Sequence, residues 1–341
     1  MQKQARIGID IGGTFTDFVL ETTARQVCLK LLTTPEAPER AVLDGLVQVL
    51  REAGLAPSDV VLVVHGTTLA TNAVIERKGA KVAFLTTEGF RDVLEVGYEN
   101  RYDQYDLLVN KPRPLVPRRL RLPVPERCAA DGRVLKPLDL QAIIRHAATL
   151  ACDGVEAVAV GLLHAYANPA HEQAIAALLA AHLPGVPVSL SSDVSPEIRE
   201  YERFTTVSAN AYVQPLMARY LGRLRDAIAA MGIAAPLLLM QSNGGLCDVE
   251  TAIRYPVRLL ESGPAGGAMF AASVARELGL DRALMLDIGG TTAKLCFLDG
   301  GTVQTTRNLE VARIDRFKPG SGLPLRFPVL ELCEIGAGGG S

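Results

Sequence analysis

The 341-residue sequence has no tryptophan, and aromatic residues of any kind make up only 5% of it. Its cores must therefore be aliphatic and alanine-rich, a role that 48% apolar residues can fill. Neither sign of charge is in excess: 35 Lys and Arg stand against 37 Asp and Glu. That balance removes the electrostatic pull toward nucleic acid or an anionic membrane surface. No apolar run is long enough to span a bilayer, and the chain enters a strand within a few residues, leaving no room for a signal peptide. Cys28, Cys128, Cys152, Cys247, Cys296 and Cys333 are scattered, with no C-x-x-C pair. Free thiols in a cytoplasmic protein are expected. Also missing are the G-x-S-x-G of nucleophile-elbow hydrolases and the G-x-x-x-x-G-K-[ST] of P-loop proteins. No Cys/His cluster has zinc spacing, so no metal beyond Mg²⁺ is expected. Repeats of solenoid length are lacking too.

What the chain does have is one short motif written twice. Asp10-Ile-Gly-Gly-Thr-Phe-Thr-Asp17 returns as Asp287-Ile-Gly-Gly-Thr-Thr-Ala-Lys294. Each copy follows a short apolar run and precedes an alternating segment (Phe15 to Leu20, Ala293 to Leu298), the pattern of a β-hairpin. Glycine lets the turn backbone approach a ligand closely. Backbone N–H groups of Gly12, Gly13, Gly289 and Gly290, with the hydroxyls of Thr14, Thr16, Thr291 and Thr292, can ring a phosphate. Asp10 and Asp287, at the strand ends, are placed to hold hydrated Mg²⁺ beside it. A single copy is as readily an ordinary Gly-Gly turn. Two copies in one context point to a nucleotide.

Between the copies the pattern is that of an α/β protein. Val27 to Leu32 reads as a third strand, and Pro38 to Ala53 as an amphipathic helix stopped by Gly54. Val60 to Val64 reads as a buried strand leading into His65-Gly-Thr-Thr68, Leu69 to Arg77 as a helix, and Lys81 to Leu85 as a strand. That order fits a ribonuclease-H-type domain. Tyr98 to Arg127 shows no period and carries Arg113, Arg118, Arg119 and Arg121. It reads either as an extended connection with solvated arginines or as an arm facing substrate or a partner. A helix capped by Asp139, a strand over 155–160, a helix over 168–181 and a strand over 186–190 follow as an inserted unit. A long helix from about Arg199 to Met231 contains Pro215, and Leu237 to Met240 is a strand ending in Gln241-Ser-Asn-Gly-Gly245. Ser262-Gly-Pro-Ala-Gly-Gly267 opens a helix whose free N–H groups, with Ser262, Gly263 and Gly266 beside them, suit an anion or nucleotide. The closing Gly336-Ala-Gly-Gly-Gly-Ser341 has the composition of a flexible linker, but Phe327 to Ile335 leads into it as a strand leads into a nucleotide loop. Two facing domains, 1–195 and 196–341, are expected.

His65 is the histidine to single out, at a strand end rather than on an apolar face. It reads equally as a catalytic group and as a histidine that only holds a turn.

In combination these stretches resemble the hydantoinase A/5-oxoprolinase family, within the actin–hexokinase–heat-shock ATPase superfamily. The matching residues are 8–17, His65 to Arg77, Lys81 to Asp92, Arg118 to Arg121, Met240 to Gly245, Glu261 to Gly267, Asp287 to Lys294 and Glu334 to Ser341. Family members continue past this last loop, so the chain resembles an N-terminal half, a fragment or a split reading frame, with its second ribonuclease-H-like domain truncated. The resemblance implies a nucleotide cleft and ATP-dependent opening of a cyclic amide, by phosphorylation of the ring carbonyl oxygen. It also implies a hydantoinase B-type partner and an oligomer. In that frame Asp10 and Asp287 orient Mg²⁺, while Thr16, Asp17 and Lys294 join the phosphate turns. Gly336, Gly338, Gly339 and Gly340 lie near the nucleoside. His65, Thr67 and Thr68 face the γ-phosphate and acceptor, and Asn72, Gln241, Ser242 and Asn243 face the substrate. Two other functions remain open: the ATP subunit of an acetone-type carboxylase, and a nucleotide-binding module without turnover.

Overall fold

A computed structural model describes residues 4–34, 36–99, 101–288, 293–315 and 318–335. Along the chain, strands β1 (Ala5–Ile11), β2 (Phe15–Glu21) and β3 (Gln26–Leu32) form a meander. Burial alternates strictly in β1, as a half-covered strand requires. Helix α1 (Pro38–Ala53) starts on a proline that needs no N–H partner, and Gly54, at φ 62°, stops it in a left-handed cap. Strand β4 (Val60–Thr67) and helix α2 (Leu69–Ile75) follow, then β5 (Val82–Thr87), α3 (Val93–Val96), β6 (Arg121–Val124), β7 (Arg127–Cys128) and β8 (Val134–Lys136). Helix α4 (Leu140–Cys152) is capped by Asp139, which accepts from the Ala142 N–H at 3.0 Å. After β9 (Ala157–Gly161), α5 (Ala170–His182), β10 (Val188–Leu190) and α6 (Ser191–Val194) comes α7 (Glu200–Ala230), with Pro215 inside it. The remainder is β11 (Leu237–Met240), β12 (Leu246–Cys247), α8 (Val249–Arg254), α9 (Ser262–Glu277), β13 (Arg282–Ile288), β14 (Ala293–Asp299), β15 (Thr302–Val303), β16 (Thr305–Val311), β17 (Leu323–Leu330) and β18 (Cys333–Ile335). Among the described residues no helix is long and apolar enough to cross a membrane.

The chain divides into two compact units that do not follow chain order. The first holds residues 1–72, 216–306 and 328–341; the second holds 73–215 and 307–327. The sequence division after residue 195 falls inside the second unit, and Pro215 of α7 is where one unit passes to the other.

Unit one carries a sheet ordered β12-β11-β4-β1-β2-β3, with β1 antiparallel to β2 and parallel to β4, and β4 parallel to β11. This is the ribonuclease-H-type order, with one correction. Its fifth strand is β11 and not the Lys81–Leu85 segment that follows β4 in sequence, because parallel partners need a crossover that the sequence does not specify. A second sheet, β13-β14-β15 with β18 also on β14, repeats the antiparallel hairpin. Helix α9 packs on β13, β4 and β11. Its stripe of Ala265, Ala268, Ala272 and Ala275 lies in one buried cluster with Met285, Cys296, Leu298 and Leu330. Alanine at that spacing lets the helix lie close on the strands. β4 alternates in burial where a uniformly buried strand was expected; a β-branched run alone does not tell one covered face from two.

Unit two is built on an all-parallel sheet, β10-β9-β5-β6. β5 and β9 are buried at every residue, as strands covered on both faces are. Part of the arginine-rich segment belongs to this sheet as β6. Arg121, read from sequence either as solvated or as facing a substrate or partner, is buried, with Nε donating to Val116 O at 2.9 Å and Nη2 to Glu95 at 2.8 Å. Arg118 does remain exposed, in a two-point bond to Asp92.

Candidate active site

The first hairpin turn is closed by Gly12 N donating to Phe15 O at 2.9 Å. It is braced from behind by Thr33, whose N–H donates to Thr14 O and whose hydroxyl donates to Gly12 O, each at 2.9 Å. Gly13 and Thr14 are exposed at the tip. Thr16 is not: it is fully buried, its hydroxyl 3.0 Å from that of Thr33, so it supports the turn and does not line it. Asp17 faces Asp10 across the hairpin and pairs with Lys30 at 2.8 Å.

Two segments of unit one close on the Asp10 carboxylate. A Cβ added to Gly66 of β4 would sit 2.9 Å from Asp10 Oδ1, and one on Gly263, in the first turn of α9, would sit 3.5 Å from it. Glycine at both places keeps the recess open. Loss of hydration raises the Asp10 pKa first, the negative charges of Asp17 and then Asp287 raise it further, and Lys30 opposes them. Two carboxylates from the two hairpins thus act on one another with partial loss of water, an arrangement that favours a divalent cation.

In the second hairpin Asp287 lies opposite Lys294, and Lys294 forms an ion pair with Glu261. Glu261 precedes α9 at φ 63°, a left-handed conformation unusual for glutamate, and its N–H donates to Thr71 Oγ1 at 3.1 Å. Strained backbone of this kind concentrates at ligand sites. Gly289, Gly290, Thr291, Thr292, Gly336, Gly338, Gly339 and Gly340 lie outside the described residues.

The hydroxyls of Thr67, Thr68 and Ser262 sew the recess together. Ser262 Oγ donates to Thr67 O at 3.1 Å, and Thr68 Oγ1 donates to Ile11 O at 3.1 Å. Thr67 Oγ1 accepts from Leu69 N at 3.1 Å. Asn72 stands beside Gly13, its Nδ2 3.9 Å from where a Cβ there would be, and Gly266 lies on the same helix end as Gly263. Two expectations are corrected. His65 is fully buried, with Nε2 2.8 Å from Tyr220 Oη and Nδ1 3.4 Å from Ile9 O, so it holds the strand and presents nothing to a ligand. Burial lowers its pKa to about 4. Ser242 is buried with its hydroxyl bonded to Arg258 O and Leu260 O, while Gln241 N and the Asn243 side chain close the turn onto Gly245. Gly66, Glu261 and Tyr220 went unassigned from sequence. Only Glu261 had a local signal, its place just before the glycine-rich helix start.

In unit two, a cavity of about 350 Å³ is lined by Tyr98, Arg101, Tyr201, Glu202, Glu310 and Arg313 among others. Tyr98 and Arg101 come from the arm that the sequence left open between connection and substrate side.

A ribonuclease-H-type sheet whose aspartate-bearing hairpin is repeated in a second sheet defines an α/β protein of the actin-like ATPase class. The chain belongs to the hydantoinase/oxoprolinase family: residues 6–183 match its N-terminal region and 203–341 match the hydantoinase/oxoprolinase domain. It is 36% identical to the caprolactamase alpha subunit of Pseudomonas jessenii, over all of this chain and 49% of that one. With 5-oxoprolinase 1 of Arabidopsis thaliana it shares 31% identity, over all of this chain and 28% of that protein. The crystal structure of the ATP-dependent caprolactamase superposes with a TM-score of 0.87 at 34% identity, over 98% of this chain and 48% of that chain. Nucleotide-free acetone carboxylase gives 0.84 at 25% identity, over 99% and 48%. The chain spans half or less of the length of these relatives.

Proposed function

We propose that the chain is the ATP-binding part of a cytoplasmic enzyme that opens a cyclic amide of the hydantoin, N-methylhydantoin or 5-oxoproline type. The observation that carries this is the Asp10 recess: a carboxylate bounded by Gly66 and Gly263, charge-coupled to Asp287, and next to a glycine turn able to ring a phosphate. Asp10 and Asp287 would hold Mg²⁺, which when bound neutralises the phosphate charge. Gly12, Gly13 and Thr14 orient the phosphates on one side. The start of α9, with Gly263 and Gly266, adds positive potential from the other, Lys294 stands there in its pair with Glu261, and Asn72 stands beside the turn. Thr67, Thr68 and Ser262 fix the frame, so that charge stabilisation is built in before reaction.

The γ-phosphoryl group passes from ATP to the ring carbonyl oxygen, leaving ADP and an activated imidate phosphate. Water adds to that carbon, the C–N bond breaks with the nitrogen taking a proton, and a second water releases phosphate. A hydantoinase B-type partner, in an oligomer, would direct the water. The same ATP site could serve a carboxylase by phosphorylating a ketone enol and bicarbonate, a reading favoured by the 30% identity to the acetophenone carboxylase gamma subunit of Aromatoleum aromaticum.

The test is ADP release from Mg-ATP with lactams, hydantoins and 5-oxoproline. It uses the chain extended as in its relatives, with a B-type partner present and Asp10→Ala as control. Ring-dependent turnover that the control loses supports the proposal. Turnover that needs ketone and bicarbonate moves the protein to the carboxylases, and tight binding without turnover makes it a nucleotide module.

A further inference from the structure

We propose that Glu126, Cys128 and His171 of unit two form a site for one zinc-type divalent ion. One donor atom from each residue, a carboxylate oxygen, a thiol sulfur and an imidazole nitrogen, lies within 4.8 Å of the other two. They come from the turn after β6, from β7 and from the first turn of α5, so no local spacing announces them.

The place in the fold is one where ligands bind. β5, β6 and β9 run parallel, and Thr87 ends β5, Glu126 follows β6 and Leu163 follows β9. The trio therefore stands at the carboxyl edge of an open parallel sheet, where such folds seat their ligands.

The geometry is near what zinc requires. Bond lengths of about 2.0–2.3 Å in a tetrahedron put neighbouring donors about 3.3–3.7 Å apart. His171 Nδ1 is 3.7 Å from Cys128 Sγ and 2.8 Å from Glu126 Oε2. A carboxylate shift of about half an ångström brings the Glu126–His171 pair to that spacing, and the Glu126–Cys128 pair lies within 4.8 Å before any adjustment. The other oxygen of Glu126 is already fixed, accepting from the Thr87 hydroxyl, which itself accepts from Leu163 N at 3.0 Å. An oriented outer partner of this kind is usual around a bound metal.

Charge and softness select the ion. The Glu126 side chain has no solvent exposure, and the only cationic partner it has among the described ion pairs is His171, which is charged only when protonated. A carboxylate, a thiolate and a neutral imidazole around a dication sum to zero. Thiolate with imidazole disfavours Mg²⁺ and Ca²⁺. Loading needs His171 with its proton on Nε2 and Cys128 ionised, so a neutral histidine gives one released proton per ion, from the thiol. The His171 side chain is 12% exposed, so water can reach the site and take the fourth position. The ion ties the ends of β5 and β6 to α5.

The experiment titrates Co²⁺ into the metal-free full chain, in a background with the exposed Cys28, Cys152 and Cys333 changed to serine. Expected are a thiolate-to-cobalt charge-transfer band that saturates at one equivalent, its loss when Zn²⁺ is added, and a Zn²⁺-dependent rise in unfolding temperature. Cys128→Ser, or Cys128→Ala should the first variant not fold, abolishes the band. Either weakens Zn²⁺ binding by at least the roughly 10- to 100-fold that loss of even an outer partner costs. No band in the parent, or a band and a Zn²⁺-dependent rise that persist in both variants, overturns the proposal.

Discussion

Asp10 and Asp17 face each other directly across the first hairpin, two carboxylates in register on neighbouring strands. Like charges so placed cost a sheet about 0.2–1 kcal/mol, and Lys30 relieves only the Asp17 side. Asp10 is thus held in an electrostatically unfavourable place. Asp10→Asn should leave the unfolding temperature equal or slightly higher, while Mg-ATP turnover falls by on the order of 10²-fold or more. Calorimetry and ADP release on the same preparation check both halves.

Gly66→Ala should damage the same site without touching the charge. Its Cβ would be 2.9 Å from Asp10 Oδ1, so the carboxylate must move. Turnover is expected to drop by about 10- to 100-fold, as for other sub-ångström displacements of a positioning group. The circular dichroism spectrum should be that of the parent. Full activity in this variant would mean that Asp10 does not set the position of the phosphates.

His65 gives a pH signature. Burial lowers its pKa from 6.5 to about 4, so between those values the unfolded chain takes a proton that the folded chain refuses. Stability is intact above pH 6.5 and declines as pH falls toward 4, by on the order of 3 kcal/mol from this residue. Asp10 and Glu172, whose pKa values are raised, slope the other way, so the measurement is a difference. Urea midpoints of parent and His65→Gln, compared across this range, should diverge in slope. Tyr220→Phe, which removes the 2.8 Å partner of His65, should cost about 1–3 kcal/mol and leave ATP chemistry unchanged at neutral pH.

Gly45→Ala tests the packing of α1 on the first sheet. A Cβ at Gly45 would fall 2.1 Å from Phe18 Cζ, deep in the core. Overpacking of this sort costs about 1–3 kcal/mol. The urea midpoint should drop with an unchanged m-value, because only the native state is strained.

What the sequence made legible was local. The Gly-Gly hairpin, α1 between Pro38 and Gly54, the Asp139 cap and the start of α9 at Ser262 each rest on residues a few places apart, and each forms as expected. What it hid was partnership at a distance. β11 rather than β5 lies beside β4, Tyr220 reaches His65, Glu95 takes Arg121, and Cys128 meets His171. Residue type states that a buried polar group needs a partner but not which one. His65 therefore read equally well as a base and as a brace.

The interleaving of the units has a consequence for synthesis. β4 is complete once residue 67 has been made, yet its parallel neighbour is Leu237–Met240. At roughly 5–20 residues per second, the edge of β4 is bare for roughly ten to thirty seconds on the ribosome. An unpaired strand edge is a template for other chains. A release of the nascent chain before α7 and β11 emerge would leave unit one with residues 1–72 alone. Expression yield should therefore depend on translation speed through residues 73–240 and on chaperones that shield a strand edge, more than on the final stability of the fold.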